Sequence, residues 1–179
     1  MNGFQISNAL NIIPETENLF RGCYYNRNIP FSLFNERTCF FIVNTKTNLS
    51  RSMGHWILFY IRDYYLLFFD SFALEPRFYG WDIEEFYQMY PGCKSIMISR
   101  PLQNEFSYVC GAYCVVISYL LSKNYTVKRI HSLFTKKTRK NDSYVSNYLY
   151  SLVGVSLSCN QEFCPGTMFG STCRNYCSC

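Results

Sequence analysis

Histidine is scarce in this chain, with 2 among 179 residues, and tryptophan equally so, with 2 beside 16 Tyr and 16 Phe. Chemistry that needs an imidazole therefore has only His55 and His131 to draw on. The opening stretch MNGFQISNALNIIPE has neither a basic start nor an uninterrupted apolar core, so it does not read as a secretory leader. The expectation is a protein that is not secreted, whose 10 cysteines begin as thiols in a reducing compartment. There, catalytic or metal roles compete with simple burial. The apolar run after Cys110 is long enough for a core helix but short of the ~20 residues that cross a membrane, so no membrane partner is expected. No internal repeat and no interdomain linker is evident, which leaves one monomeric domain over residues 1–179 as the expectation.

What is present is apolar and aromatic: 49% of residues are hydrophobic, a globular composition. Dense β-branched and aromatic runs of strand length fall at 38–45, 55–61, 64–69 and 94–99. Arg62-Asp63 separates the second and third runs and predicts a hairpin turn. Helices are predicted over 5–11, 15–20, 81–90, 110–121, 126–134 and 142–152, with Thr126 and Asp142 as caps and the basic run KKTRK between the last two. Residues 22–32 read as a loop punctuated by Asn26, Asn28 and Pro30. The fold class implied is α+β, a mixed central sheet packed against helices.

The net charge of +5 is concentrated between Lys123 and Lys140. Lys128, Arg129, Lys136, Lys137, Arg139 and Lys140 make either a solvated basic face or a site for a polyanion such as DNA. The tail from about 156 to 179 carries Cys159, Cys164, Cys173, Cys177 and Cys179, at spacings that match no familiar zinc framework. No metal is expected, disulfides formed on oxidation within the tail or to a partner are an equally plain use of these thiols, and the tail is assigned no function.

Cys110 stands where a polar, turn-like approach gives way to a buried helix. The first turn of a helix presents unpaired N–H groups and partial positive charge, which favour a thiolate. A catalytic thiolate needs a base, something to orient the base, and donors for a developing oxyanion. His55 opens a strand and can face a cleft, whereas His131 lies beside Lys128 and Arg129, which disfavour an imidazolium. The hairpin would return Asp70, 15 positions after His55, to the end where His55 lies. Gln103 precedes Cys110 by seven positions and offers an amide for the oxyanion. Gly111 would let a substrate backbone approach closely, and Cys114, deeper in the helix, reads as packing.

His55, Asp70, Gln103 and Cys110, in that order, together with IVNT at 42–45, GHW at 54–56 and Q-x6-C-G at 103–111, resemble the adenovirus-type cysteine endopeptidases, the adenain family. The likeness covers about residues 20–121 and is fainter beyond. It implies a cysteine protease in which Cys110 is the nucleophile, His55 the general base and acid, Asp70 the orienter and Gln103 an oxyanion donor. The adenovirus enzymes carry glutamate at the Asp70 position, whereas aspartate is used in the related SUMO-deconjugating proteases. The resemblance further implies viral precursor polypeptides as substrates during virion maturation, cut at small-residue sites, and residence in the host nucleus or the virion. Family members need no cofactor for the chemistry but can be activated by DNA and by a short viral peptide attached through a disulfide, for which Cys93 is the candidate. Two other readings stay open: a protease that deconjugates ubiquitin-like proteins, and a non-catalytic virion or nucleic-acid-binding protein.

Overall fold

The seven residues of Thr38–Asn44 (β2), TCFFIVN, form a strand with almost no polar alternation, and the reason is burial on both faces. Successive side chains point to opposite sides. Phe40 and Ile42 enter a core with the helices, while Cys39, Phe41 and Val43 enter a second core on the other face. In this computed structural model, which describes residues 1–46 and 54–154, β2 lies inside a five-stranded sheet in the order β1-β2-β3-β4-β5. Its neighbours are Phe20–Tyr25 (β1), parallel to it, and Trp56–Arg62 (β3), antiparallel. Tyr65–Phe69 (β4) pairs antiparallel with β3, and Cys93–Ile96 (β5) runs parallel to β4 at the edge.

Helices cover both faces, which makes the fold α+β. On one side Gly3–Ile12 (α1) and the short Pro14–Glu17 (α2) pack with Cys110–Ser122 (α4), Val127–Ser132 (α5) and Thr138–Val153 (α6). On the other, Trp81–Met89 (α3) sets Ile83 and Phe86 against Phe41, Phe59 and Phe68. Rings meet edge to face there, with Phe86 at 5.5 Å from Phe41 and 5.4 Å from Phe59. α4 is apolar around its whole circumference because the sheet, α1 and α6 surround it. Among the described residues no helix is long and apolar enough to cross a membrane.

Three expectations change. Residues 20–25 were expected to split between the end of a helix and a loop, but they form β1, whose pairing with β2 shifts register between Phe20 and Cys23, where Gly22 takes φ 122. Exposed hydrogen-bonding groups on the edge of β2 organise this segment, and no local pattern announces it. The hairpin turns at Asp63-Tyr64, not Arg62-Asp63, since Arg62 still pairs with Tyr65; Asp63 takes the left-handed turn position, φ 53, that glycine often fills. Asp142 does not cap a helix: α6 begins four residues earlier, inside the basic run, and Asp142 is buried in its second turn. Arginine and lysine are good helix formers, so Thr138, Arg139 and Lys140 of KKTRK enter the first turn of α6 instead of a loop.

Candidate active site

His55 directly precedes β3 and Asp70 directly follows β4, so the antiparallel pairing of Leu58 with Phe69 leaves both side chains at the same end of the sheet. The backbone of His55 is clamped by Thr45. The N–H of Thr45 donates to the His55 carbonyl at 2.8 Å, and the N–H of His55 donates to Thr45 Oγ1 at 3.1 Å. Asn44 Oδ1 accepts from the Lys46 N–H at 3.0 Å and fills the space beside Gly54, where any Cβ would lie 1.7 Å from that oxygen. The sequences VNT and GHW are thus two halves of one device that fixes where the imidazole starts.

Asp70 is 2% exposed and gathers donors from three directions. Phe72 N–H donates to Oδ1 at 3.1 Å, while Leu74 N–H and Tyr79 O–H each donate to Oδ2 at 2.8 Å. The turn that delivers these amides puts Ala73 at φ 59, a left-handed conformation that costs a non-glycine residue about 1–2 kcal/mol. The remaining partner of Asp70 Oδ1 is His55 Nε2. The imidazole lies between two rings, Phe72 at 4.8 Å and 30° and Tyr79 at 5.7 Å and 22°. Two stacked rings and a carboxylate at one nitrogen restrict the ring's freedom to turn.

With Nε2 committed to Asp70, Nδ1 is the nitrogen left for Cys110, whose side chain lies close enough to influence the ionisation of His55. Cys110 is the first residue of α4, and Val109 before it supplies no side-chain cap, so the helix start keeps its free N–H groups around the sulfur. Burial is the largest influence on the thiol and opposes its ionisation. The hydrogen bond and charge of His55, with the backbone N–H of Trp56, outweigh it and hold the Cys110 thiol below its ordinary value. Burial likewise opposes the imidazolium, yet the hydrogen bonds to Asp70 and Cys110 prevail and push His55 up to about 9. Both directions favour the ion pair, a thiolate beside an imidazolium, over the neutral thiol and imidazole.

Gln103 is 2% exposed. Its Oε1 accepts from Ser71 Oγ at 2.7 Å and its Nε2 donates to the Ser107 carbonyl at 2.7 Å, which fixes the flip of the amide and leaves one Nε2 hydrogen uncommitted. The Ser71 carbonyl in turn accepts from the N–H groups of Leu102 and Gln103. The turn that presents Asp70 is therefore tied to the segment that carries Gln103. Gly111 has a packing reason distinct from the expected one: a Cβ there would lie 3.1 Å from Ile6 Cδ1 and 3.1 Å from Met1 Cβ, so α1 rests on this glycine. The thiol of Cys114 is fully buried, points its proton at the Trp56 carbonyl and is pushed well up by burial.

The structure brings His55, Asp70 and Cys110 together and ties Gln103 to the residue after Asp70, but it leaves the remaining candidates elsewhere. Cys93 is exposed and pairs with Tyr65, five residues along β4 from Asp70, about 17 Å at ~3.4 Å per residue. His131 is hydrogen-bonded through its ring to the Met97 carbonyl. Lys128, Arg129, Lys136, Lys137, Arg139 and Lys140 are exposed along α5, the following turn and the start of α6, with Arg129 lying over the Tyr125 ring at 3.9 Å. The tail cysteines from Cys159 to Cys179 lie outside the described residues. Sequence reasoning missed Tyr79, Phe72 and Ser71. Tyr79 arrives through a 3-10 turn at Pro76–Tyr79 that has no periodic signature.

The chain matches no protein-family model, and no curated protein matches its sequence significantly. Among solved structures it is similar to an ASFV protease, with a TM-score of 0.55 at 13% identity over 79% of this chain and 63% of that one. The likeness is one of fold, and this chain spans less than two thirds of that protein's length. A Chlamydia trachomatis effector protein bound to ubiquitin overlaps with a TM-score of 0.45 at 16% identity, over 64% of this chain and 60% of that one, too slight to fix a common fold.

Proposed function

We propose that this protein is a cysteine endopeptidase that cuts precursor polypeptides by acyl transfer. One observation carries the reading: a single imidazole, His55, is held by the carboxylate of Asp70 beside Cys110, the first residue of a buried helix. The shared fold of a protein described as a protease supports it.

The Cys110 thiolate attacks the scissile carbonyl carbon, forming a C–S bond while the carbonyl π pair moves to oxygen. The free Nε2 hydrogen of Gln103 and the Cys110 N–H receive that oxyanion. Collapse of the tetrahedral intermediate breaks the C–N bond, and the His55 imidazolium gives its proton to the departing amine. Neutral His55 then takes a proton from water, whose oxygen attacks the thioester, and the thiolate leaves. Asp70 keeps the ring in one orientation and compensates its charge throughout. No cofactor enters the bond changes.

Substrates in this proposal are the structural precursors encoded by the same viral genome, processed in the host nucleus or the virion. DNA bound along Lys128 to Lys140 and a peptide bound through the exposed thiol of Cys93 act as regulators at a distance from the chemistry. The test is to incubate the protein with those precursors and, separately, with ubiquitin-like precursors, using Cys110→Ala as the control. Cleavage of the structural precursors that disappears in the control is expected. Cleavage restricted to the ubiquitin-like precursors would make the enzyme a deconjugating protease, and no cleavage of either would leave no support for an enzyme.

A further inference from the structure

Asp142 is a carboxylate inside a helix, 6% exposed, and neither caps the helix nor pairs with a cation. Burying such a group is unfavourable unless donors surround it. Its donors come from the approach to Cys110 and from α4. The Asn104 N–H lies 3.2 Å from Oδ2 and 3.4 Å from Oδ1, and the hydroxyl of Tyr113, a residue 0% exposed on α4, donates to Oδ1 at 3.0 Å. The single hydrogen of that hydroxyl is shared with the Leu102 carbonyl, also at 3.0 Å, and Asn141 Nδ2, one residue before Asp142, donates to that carbonyl at 3.1 Å. The peptide groups before and after Gln103 are thus both held: the 102–103 carbonyl by Tyr113 and Asn141, and the 103–104 N–H by Asp142.

None of these contacts reaches His55 or Cys110. The imidazole is fixed by Thr45, Asp70 and its two ring neighbours, and the thiolate by His55 and Trp56. The chain therefore has two supports, one for the nucleophile and its base and another for the amide of Gln103, which meet at Ser71. We propose that Asp142, through Tyr113 and Asn104, is a positioning residue of the oxyanion site that sets where the Gln103 amide meets the tetrahedral intermediate. The proposal rests on the acyl-transfer reading of Cys110. It gives the start of α6 a part in catalysis without contact to substrate.

The supports separate in two reactions of the same thiol. Alkylation by iodoacetamide displaces iodide at a saturated carbon and develops no carbonyl oxyanion, so it reports the thiolate alone. Acylation by a peptidyl-glycine 4-nitrophenyl ester develops the oxyanion and reports both supports. Loss of one oxyanion donor costs about 10²–10³-fold in rate, and an ångström of misplacement costs up to roughly 10²-fold. In the full chain, Asp142→Ala is expected to lower the acylation rate at least tenfold, with KM and the iodoacetamide rate each within about twofold of wild type. Asp142→Asn, which keeps an acceptor for Asn104 and Tyr113, is expected to restore acylation to within about threefold. In a Gln103→Ala background the Asp142→Ala change should add nothing, because the positioned group is gone.

Unchanged acylation in Asp142→Ala overturns the proposal, as does an equal fall in alkylation and acylation, which would mark Asp142 as structural only. Should Asp142→Ala fail to fold, Tyr113→Phe decides: a selective fall in acylation supports the brace, and wild-type acylation refutes it. If the wild-type protein neither acylates nor shows selective alkylation at Cys110, the nucleophile assignment has failed, a result distinct from any of these.

Discussion

Tyr79→Phe removes one oxygen and leaves the ring that stacks on His55, which makes it the cleanest perturbation of the base. The lost interaction is a 2.8 Å hydrogen bond to a carboxylate that is 2% exposed. Hydrogen bonds to charged groups contribute about 1.5–3 kcal/mol. Asp70 keeps the Phe72 and Leu74 N–H groups and His55, so the lower end applies, about 1.5 kcal/mol. At ~1.4 kcal/mol per decade this is roughly a tenfold loss in kcat/KM. Because the hydroxyl acts through His55, iodoacetamide alkylation of Cys110 should fall in proportion, unlike the Asp142 variants. Tyr79→Leu loses the stack as well, worth about 0.5–1.5 kcal/mol, and should be slower again by roughly 2–10-fold. The assay is kcat/KM on a peptide substrate beside the alkylation rate, for wild type, Tyr79→Phe and Tyr79→Leu. If Tyr79→Phe matches wild type, the Asp70 contact contributes nothing to the base. If the two variants are equal, the ring does not hold the imidazole.

Further outcomes follow from the same geometry. Activity should trace a bell with pH: it falls on the acid side as the thiolate protonates at the lowered Cys110 value, and on the alkaline side as His55 loses its proton near 9. In His55→Ala the acid limb of alkylation should rise toward the ordinary thiol value of 9.0, and an unmoved limb would show that His55 does not set the thiolate. Gly54→Ala forces a Cβ to 1.7 Å from Asn44 Oδ1 and should destabilise the protein by about 1–3 kcal/mol, read as a lower urea midpoint at constant slope. Phe106 and Tyr108, 76% and 69% exposed on the segment leading to Cys110, should contact substrate flanking residues. Replacing both by serine is expected to raise KM with kcat nearly constant, and an unchanged KM would remove them from the binding surface.

What could be read from residues alone was what local pattern controls. The runs at 38–45, 55–61 and 64–69 are strands because both faces of the sheet are covered, and the hairpin between the last two carries His55 and Asp70 to one end. The apolar run after Cys110 is α4 because it is surrounded by the sheet, α1 and α6. What escaped was settled by partners distant in sequence. β1 forms only because β2 offers it an edge, 19 to 20 residues further along. Asp142 looked like a cap, since aspartate before an apolar pattern usually is one. Its partners Asn104 and Tyr113 lie 38 and 29 residues away. Tyr79 reaches Asp70 through a short 3-10 turn followed by Gly80 at φ 95, and no spacing rule finds such a contact. Gly111 was read as clearance for substrate, although the packing of Ile6 and Met1 against it gives a nearer reason.

The central claim is that Cys110 is singled out from the other thiols by His55. The described residues hold five free cysteines, Cys23, Cys39, Cys93, Cys110 and Cys114. Burial pushes the thiol of Cys23 up to about 11 and that of Cys39 up to about 12, and raises Cys114 well above its ordinary value, whereas Cys110 moves down. The most direct measurement is site-resolved mass spectrometry after brief exposure of the native protein to a peptidyl-glycine aldehyde or vinyl sulfone at neutral pH. The account predicts rapid labelling confined to Cys110, absent in Cys110→Ala and slowed at least tenfold in His55→Ala. Labelling spread evenly over the cysteines, or unaffected by loss of His55, would contradict it.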